Sequence, residues 1–156
     1  MNSKSQLRMM MNQKAINKSN TDKTFIIILS PFMALMAPFV VWPIEQLLPF
    51  PYLVEEAVKA VFVYFILQIP SKTKQIQFAI LIGVLFSFSE AVLYLFNFYI
   101  LNTFSFLFSR LVLTTALHTV TMTIMVSVCL INRKLFPFGV VLAVVIHYVY
   151  NLLVTF

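Results

Sequence analysis

Five long apolar runs govern what this chain can become, at about residues 24–42, 52–69, 76–101, 107–131 and 137–156. Lipid offers a backbone no hydrogen-bond partner, so a sustained apolar run must satisfy its own peptide groups, and a helix does so. The runs predict an all-α membrane protein: a polytopic bundle of about five transmembrane helices, forming one domain over 24–156. The breaks between them carry turn chemistry: Pro43, Pro49 and Pro51, then Pro70 and Ser71, then Asn102 and Thr103, then Asn132, Arg133, Lys134 and Pro137. Residues 1–23 are polar and basic without an apolar period, and read as a mobile cytoplasmic tail. The first run does not read as a cleaved signal peptide, because its polar leader is too long and Pro38 directly follows Ala37.

Only 10% of the residues are charged, against roughly 25% in soluble domains. The net charge of +6 does not point to nucleic acid. Five of the eleven basic residues (Lys4, Arg8, Lys14, Lys18, Lys23) lie in the N-terminal segment, and most others flank apolar runs. That is charge that sets topology. The first loop holds only acidic Glu45 and the third no charge, whereas Lys72 and Lys74 mark the second and Arg133 and Lys134 the fourth. The alternation predicts an N-terminus inside and a C-terminus outside, in a multi-pass protein of the cell membrane. Trp42, Tyr52, Tyr99 and Phe156 then fall near the outer interface, where an aromatic belt belongs. Cys129 is the sole cysteine, so no internal disulfide forms and the residue reads as packing.

Seven ionisable residues lie within the apolar runs: Glu55, Glu56, Lys59, Glu90, Arg110, His118 and His147. Charge in lipid is costly, so such groups turn inward, pair and work. At about 1.5 Å of rise per residue, Glu55 and Glu56 lie roughly 5 Å below the outer end of helix 2, and Lys59 roughly 10 Å. The same arithmetic puts Glu90 at roughly 15 Å, His118 at roughly 16 Å, His147 at roughly 14 Å and Asn151 at roughly 8 Å, with Arg110 near the rim. Helices running in alternating directions thus bring their polar groups to a shared depth in the outer half, which predicts one site. Glu55 or Glu56 with Lys59, and His147 with Asn151, have the spacing of helix neighbours. Ser87 and Asn97 share the face of Glu90, and Thr121 lies a turn from His118.

Hydrolysis is the chemistry these groups suit. A carboxylate takes a proton from water, and histidines orient the water, bind a metal or donate to an oxyanion. Carboxylates and imidazoles also suit zinc, with Glu56, Glu90, His118 and His147 as candidate ligands. Asn151 has the donors to hold an oxyanion or to fix the His147 tautomer. Lys59 reads as a counter-ion and Arg110 as a supporting residue.

Four segments resemble motifs of the PrsW family of intramembrane proteases, and more distantly the superfamily of CAAX proteases and bacteriocin-processing proteins. Glu55-Glu56-Ala57-Val58-Lys59 is similar to the family's Glu-Glu-x-x-Lys motif. Gly83 with Phe86-Ser87-Phe88-Ser89-Glu90 and Tyr94 is similar to its Gly…Phe-x-x-x-Glu…Tyr motif, although Ala91 stands where Asn is usual. Arg110 with His118, and His147-Tyr148-Val149-Tyr150-Asn151, are similar to its third and fourth motifs. The resemblance spans roughly residues 53–151. It implies a peptidase that cuts a membrane-anchored protein substrate near or within the bilayer, with Glu55 and Glu56 as catalytic acids and His147 essential. Two further readings of the same residues stay open. Buried Glu, His and Lys also build proton relays, as in a proton-coupled transporter. A degenerate site of this kind also fits a non-catalytic immunity or scaffold protein.

Overall fold

The computed structural model describes residues 3–101 and 104–154. Most side chains of 1–23 and those of 96–107 lie outside the described set, and with them the expectations for Asn97, Tyr99, Asn102 and Thr103, as does that for Phe156. Five helices follow in order: α1 Ser3–Glu45, α2 Pro51–Ile66, α3 Lys72–Leu101, α4 Phe104–Ile131 and α5 Phe136–Val154, with a single 3-10 turn at Arg133–Leu135 before α5. Four are long and apolar enough to cross a membrane, through Ile27–Glu45, Lys72–Leu95, Phe108–Ile131 and Arg133–Val154.

Two expectations need correction. The segment read as a mobile tail is helical from Ser3 and continuous with the first span. It has no Gly or Pro before Pro31 and is rich in Met, Lys, Gln and Asn, so no residue type breaks the helix. The second apolar run, expected over 52–69, is helical only over Pro51–Ile66, shorter than the four membrane-length helices. Its 16 residues rise about 24 Å. Pro51 starts it, at a position where the missing N–H costs nothing. Its C-terminal carbonyls are covered by side chains from elsewhere: Gln75 Nε2 donates to Ile69 O at 2.6 Å, and Arg133 Nη2 to Leu67 O at 3.4 Å.

Three prolines (Pro31, Pro38, Pro43) lie within α1. A proline leaves the carbonyl four residues earlier without its helical donor. Pro31 does this to Ile27, and the Ser30 hydroxyl donates to Ile27 O at 2.8 Å instead. Near Pro38, Ser89 of α3 donates to Leu35 O. Hydroxyls thus carry the helix past its prolines where water is absent.

The inward faces show how the site is placed. On α2, buried Glu55, Glu56 and Lys59 give way to Phe62, Val63 and Ile66. On α3, Ala79, Ile82 and Phe86 lead to Glu90 at helical spacings of three and four; on α5, Gly139 and Ala143 lead to His147, each four residues from the next. On α4, His118 and Thr121 give way to Met122, Met125, Val126 and Cys129. One end of the bundle is therefore an apolar core and the other a buried polar cluster. Gly83 lets α3 and α4 close on each other: a Cβ there would fall 2.6 Å from Thr119 Cα and 2.9 Å from His118 O. Outward, Phe25, Ile28, Phe32, Val61, Tyr64, Val141 and Leu153 are exposed, a surface that suits lipid.

Candidate active site

Six of the ionisable residues singled out in the sequence meet in one connected cluster drawn from α2, α3, α4 and α5. Lys59 lies at its base, fully buried. Its ammonium contacts Glu56 Oε1 at 2.5 Å, His118 Nδ1 at 2.7 Å and Thr121 Oγ1 at 3.2 Å. An ammonium has three N–H donors, so all are used. Both carboxylates of α2 were within helical reach of Lys59; the one it pairs with is Glu56, three residues away.

Two imidazoles stand above this base. His147 Nδ1 donates to Glu56 Oε1 at 2.7 Å, leaving Nε2 as the free ring nitrogen. His118 accepts from Lys59 at Nδ1, and its Nε2 meets Glu90 Oε2. The two rings pack edge to face with centroids 5.5 Å apart. Tyr52, expected in the outer belt, packs on His147 and Tyr148, so it walls the site as well. Ser87 bonds to Thr115 at 2.8 Å and so serves helix packing. The Nδ1 partner of His147 is Glu56, and Asn151 lines the cleft one turn further on.

Glu55 stands apart. Among the described residues its Oε2 atom is buried without a hydrogen-bond partner, as is Glu56 Oε2, but the Glu55 oxygen is the one that faces both imidazole Nε2 atoms. That oxygen lies 3.8 Å from His118 Nε2 and 3.8 Å from His147 Nε2, too far for a hydrogen bond. Donor atoms of Glu55, His118 and His147 all lie within 4.8 Å of one another. Zinc bonds of about 2.0–2.2 Å put tetrahedral ligands about 3.3 Å apart. A small contraction would bring these three atoms to that spacing, and a buried carboxylate oxygen without a partner is otherwise a costly arrangement. The residues therefore fit a divalent metal with two nitrogen ligands and one oxygen ligand. This set differs from the one expected from the sequence, which held Glu56 and Glu90 in place of Glu55. Glu56 orients His147 from behind, as carboxylates do for metal-bound histidines.

A cleft of about 170 Å³ opens onto the cluster, and all five helices line it. Glu55, Glu90 and His147 form its floor, and Arg110, Thr114, Tyr150 and Asn151 one wall. Arg110 stacks 3.9 Å from the Tyr94 ring centroid, and Thr114 shares a hydrogen bond with Tyr150 at 3.1 Å. Trp42 and Glu45 of α1, and Gln46 just beyond it, also line the cleft. Sequence reasoning missed these three, because they sit at the end of the first apolar run and in the loop after it. Their only signal was Glu45 itself, an acid beside an otherwise uncharged outer loop.

The sequence model of the PrsW family of intramembrane metalloproteases matches residues 23–156. The chain belongs to this family. The match takes in α2 to α5, the apolar span of α1 and every residue of the cluster, and starts at the last residue of the basic N-terminal segment. As a PrsW-family chain it is an intramembrane peptidase, built as a multi-pass membrane protein with a Glu-His-His set able to hold a metal ion. Comparison with curated proteins and with solved structures found no match.

Proposed function

We propose that this PrsW-family chain hydrolyses a peptide bond of a membrane-anchored protein near the outer face of the membrane, with Glu55, His118 and His147 holding zinc. The single observation that carries this reading is the unpartnered Glu55 Oε2, facing two imidazole Nε2 atoms at the floor of an open cleft. When bound, the ion supplies Lewis acidity, which acidifies water and polarises a carbonyl.

The chain's own residues do the rest. Glu90 lies against His118 and lines the cleft, so it takes the proton from the attacking water and delivers it to the departing amine nitrogen. Glu56 and Lys59 are positioning residues: Glu56 fixes the His147 ring and Lys59 fixes His118. Arg110 and Asn151 offer N–H donors to the carbonyl oxygen as it gains charge. The bundle around the floor excludes bulk water, and the cleft admits an extended segment of substrate.

The test compares new protein N-termini in membrane and extracellular fractions of the native host, deleted for the gene and complemented at equal levels. One strain carries the wild type, the other the Glu55→Gln/Glu56→Gln/His147→Ala variant. Fragments cut at the outer membrane–water boundary, present only with the wild type, are expected. Identical N-termini in both strains, with the variant still folded, would replace the reading with that of a non-catalytic binder.

A further inference from the structure

The cleft is lined by three carboxylates with different obligations. Glu90 faces His118, and Glu55 faces the pair of histidines. Glu45, the last residue of α1, has neither task. Among the described residues its carboxylate makes no hydrogen bond or ion pair. Arg110 lines the same cleft but lies beyond ion-pair distance of Glu45, stacked on Tyr94.

Three features of its surroundings favour a cation. Glu45 ends a long helix, at the negative end of the helix dipole. Trp42, one turn earlier, lines the cleft beside it, and indole faces attract cations. A smaller chamber of about 20 Å³ adjoins the cleft, shares Trp42, Glu45, Glu55 and Glu90 with it, and has no Lys or Arg in its walls. A half-buried carboxylate among apolar helices is costly without a counter-charge. Glu55, whose free oxygen is assigned to the metal, lines the same cavity and so sets the Glu45 carboxylate beside the reacting atoms.

We propose that Glu45 is the specificity-determining residue of the cleft: it receives a lysine or arginine side chain that the substrate carries beside its scissile bond. The selection rests on the peptidase reading for its biological meaning, but its physical content is a binding preference. Trp42, Pro51 and Leu117, the apolar residues of the cleft, flank the methylene stem, and the carboxylate takes the charged head. Arg110, which lines the same cleft, repels the same cation and steers it towards Glu45.

Binding, separate from cleavage, tests it. The full-length chain is placed in nanodiscs of neutral phosphatidylcholine. The probes are synthetic single-span peptides with one Leu/Ala span and a polar outer flank. Each carries a single Lys, Gln or Glu at one of the first six flank positions. The wild type should bind the Lys peptide about tenfold more tightly than the Gln peptide at one register, as a charge-assisted contact provides. Glu45→Gln should erase that difference, and Glu45→Lys should transfer the preference to the Glu peptide. The reversal separates a changed preference from a damaged fold. Equal binding of Lys and Gln peptides by the wild type at all six positions would overturn the proposal, as would a Lys preference that survives in Glu45→Gln. A Lys preference that depends on Glu45, with no peptide cut, would leave the selector standing and remove the peptidase reading instead.

Discussion

Glu55 and Glu56 are adjacent in sequence, yet their surroundings assign them opposite duties. Glu56 holds a buried lysine and a histidine with one oxygen. Glu55 has an oxygen with no hydrogen-bond partner. Replacing each by glutamine should therefore separate structure from chemistry. Glu56→Gln leaves the Lys59 charge uncompensated inside the bundle, a change that costs about 3 kcal/mol in buried pairs. A clear drop in melting temperature in detergent is expected, together with lost cleavage. Glu55→Gln should lose cleavage while melting within a few degrees of the wild type; a matched drop in both variants would contradict the assignment. The metal assignment divides the residues in another way. Purified wild type should carry about one zinc per chain by elemental analysis. His118→Ala and His147→Ala should carry little, whereas Glu90→Gln should keep its zinc and lose at least a hundredfold in cleavage rate, the scale of a missing general base. Zinc lost from Glu90→Gln to the same extent would make Glu90 a ligand and leave the base unassigned.

At the scale of helices, the contact between α3 and α4 sets the distance between Glu90 and His118. Gly83 lies two turns from Glu90 and has room for no side chain: a Cβ would meet the backbone of α4 at under 3 Å in three places. Gly83→Ala must push the helices apart, at a cost of roughly 1–3 kcal/mol for overpacking. The Glu90–His118 contact should loosen, so cleavage should fall along with the melting temperature. Gly139 offers the control, because its Cβ would meet Met125 Cα and Val128 at 3.4 Å, near ordinary contact. Gly139→Ala should leave activity within about twofold, and by the helix-propensity difference can even stabilise α5. If the two substitutions behave alike, the close approach of α3 to α4 is not what positions Glu90.

For the whole molecule, orientation decides on which side of the membrane the cleft opens. The charge alternation predicts that the loop after α1 faces out and the loop after α2 faces in. In a Cys129→Ala background, Leu47→Cys should react with an impermeant maleimide on intact cells, and Lys72→Cys only after lysis. The opposite pattern would place the cleft on the inner face. How much of this was readable beforehand varies with the physics involved. The helical bundle and its buried ionisable residues were legible, because an apolar run interrupted by Glu90 or His147 has few physical explanations. The partner of Lys59 was not, since residues three and four apart are equally near on a helix and only the positions of His118 and His147 decide between them. Glu45 was overlooked because it lies where an apolar run ends, and a charge there has an ordinary explanation in solvent. The N-terminal helix carries no apolar period, so its continuity with the first span left no pattern to detect.

The bond between Glu56 and His147 joins residues 91 positions apart, with His147 on the last of the five helices. Lys59, by contrast, neutralises Glu56 from within the same helix. During synthesis the second helix therefore arrives with one of its two acids already neutralised. The hydrolytic cluster cannot close until the fifth helix leaves the ribosome and docks. A half-made chain lacks His147 and so cannot cut its neighbours, and the order of translation itself acts as a safety catch on the enzyme.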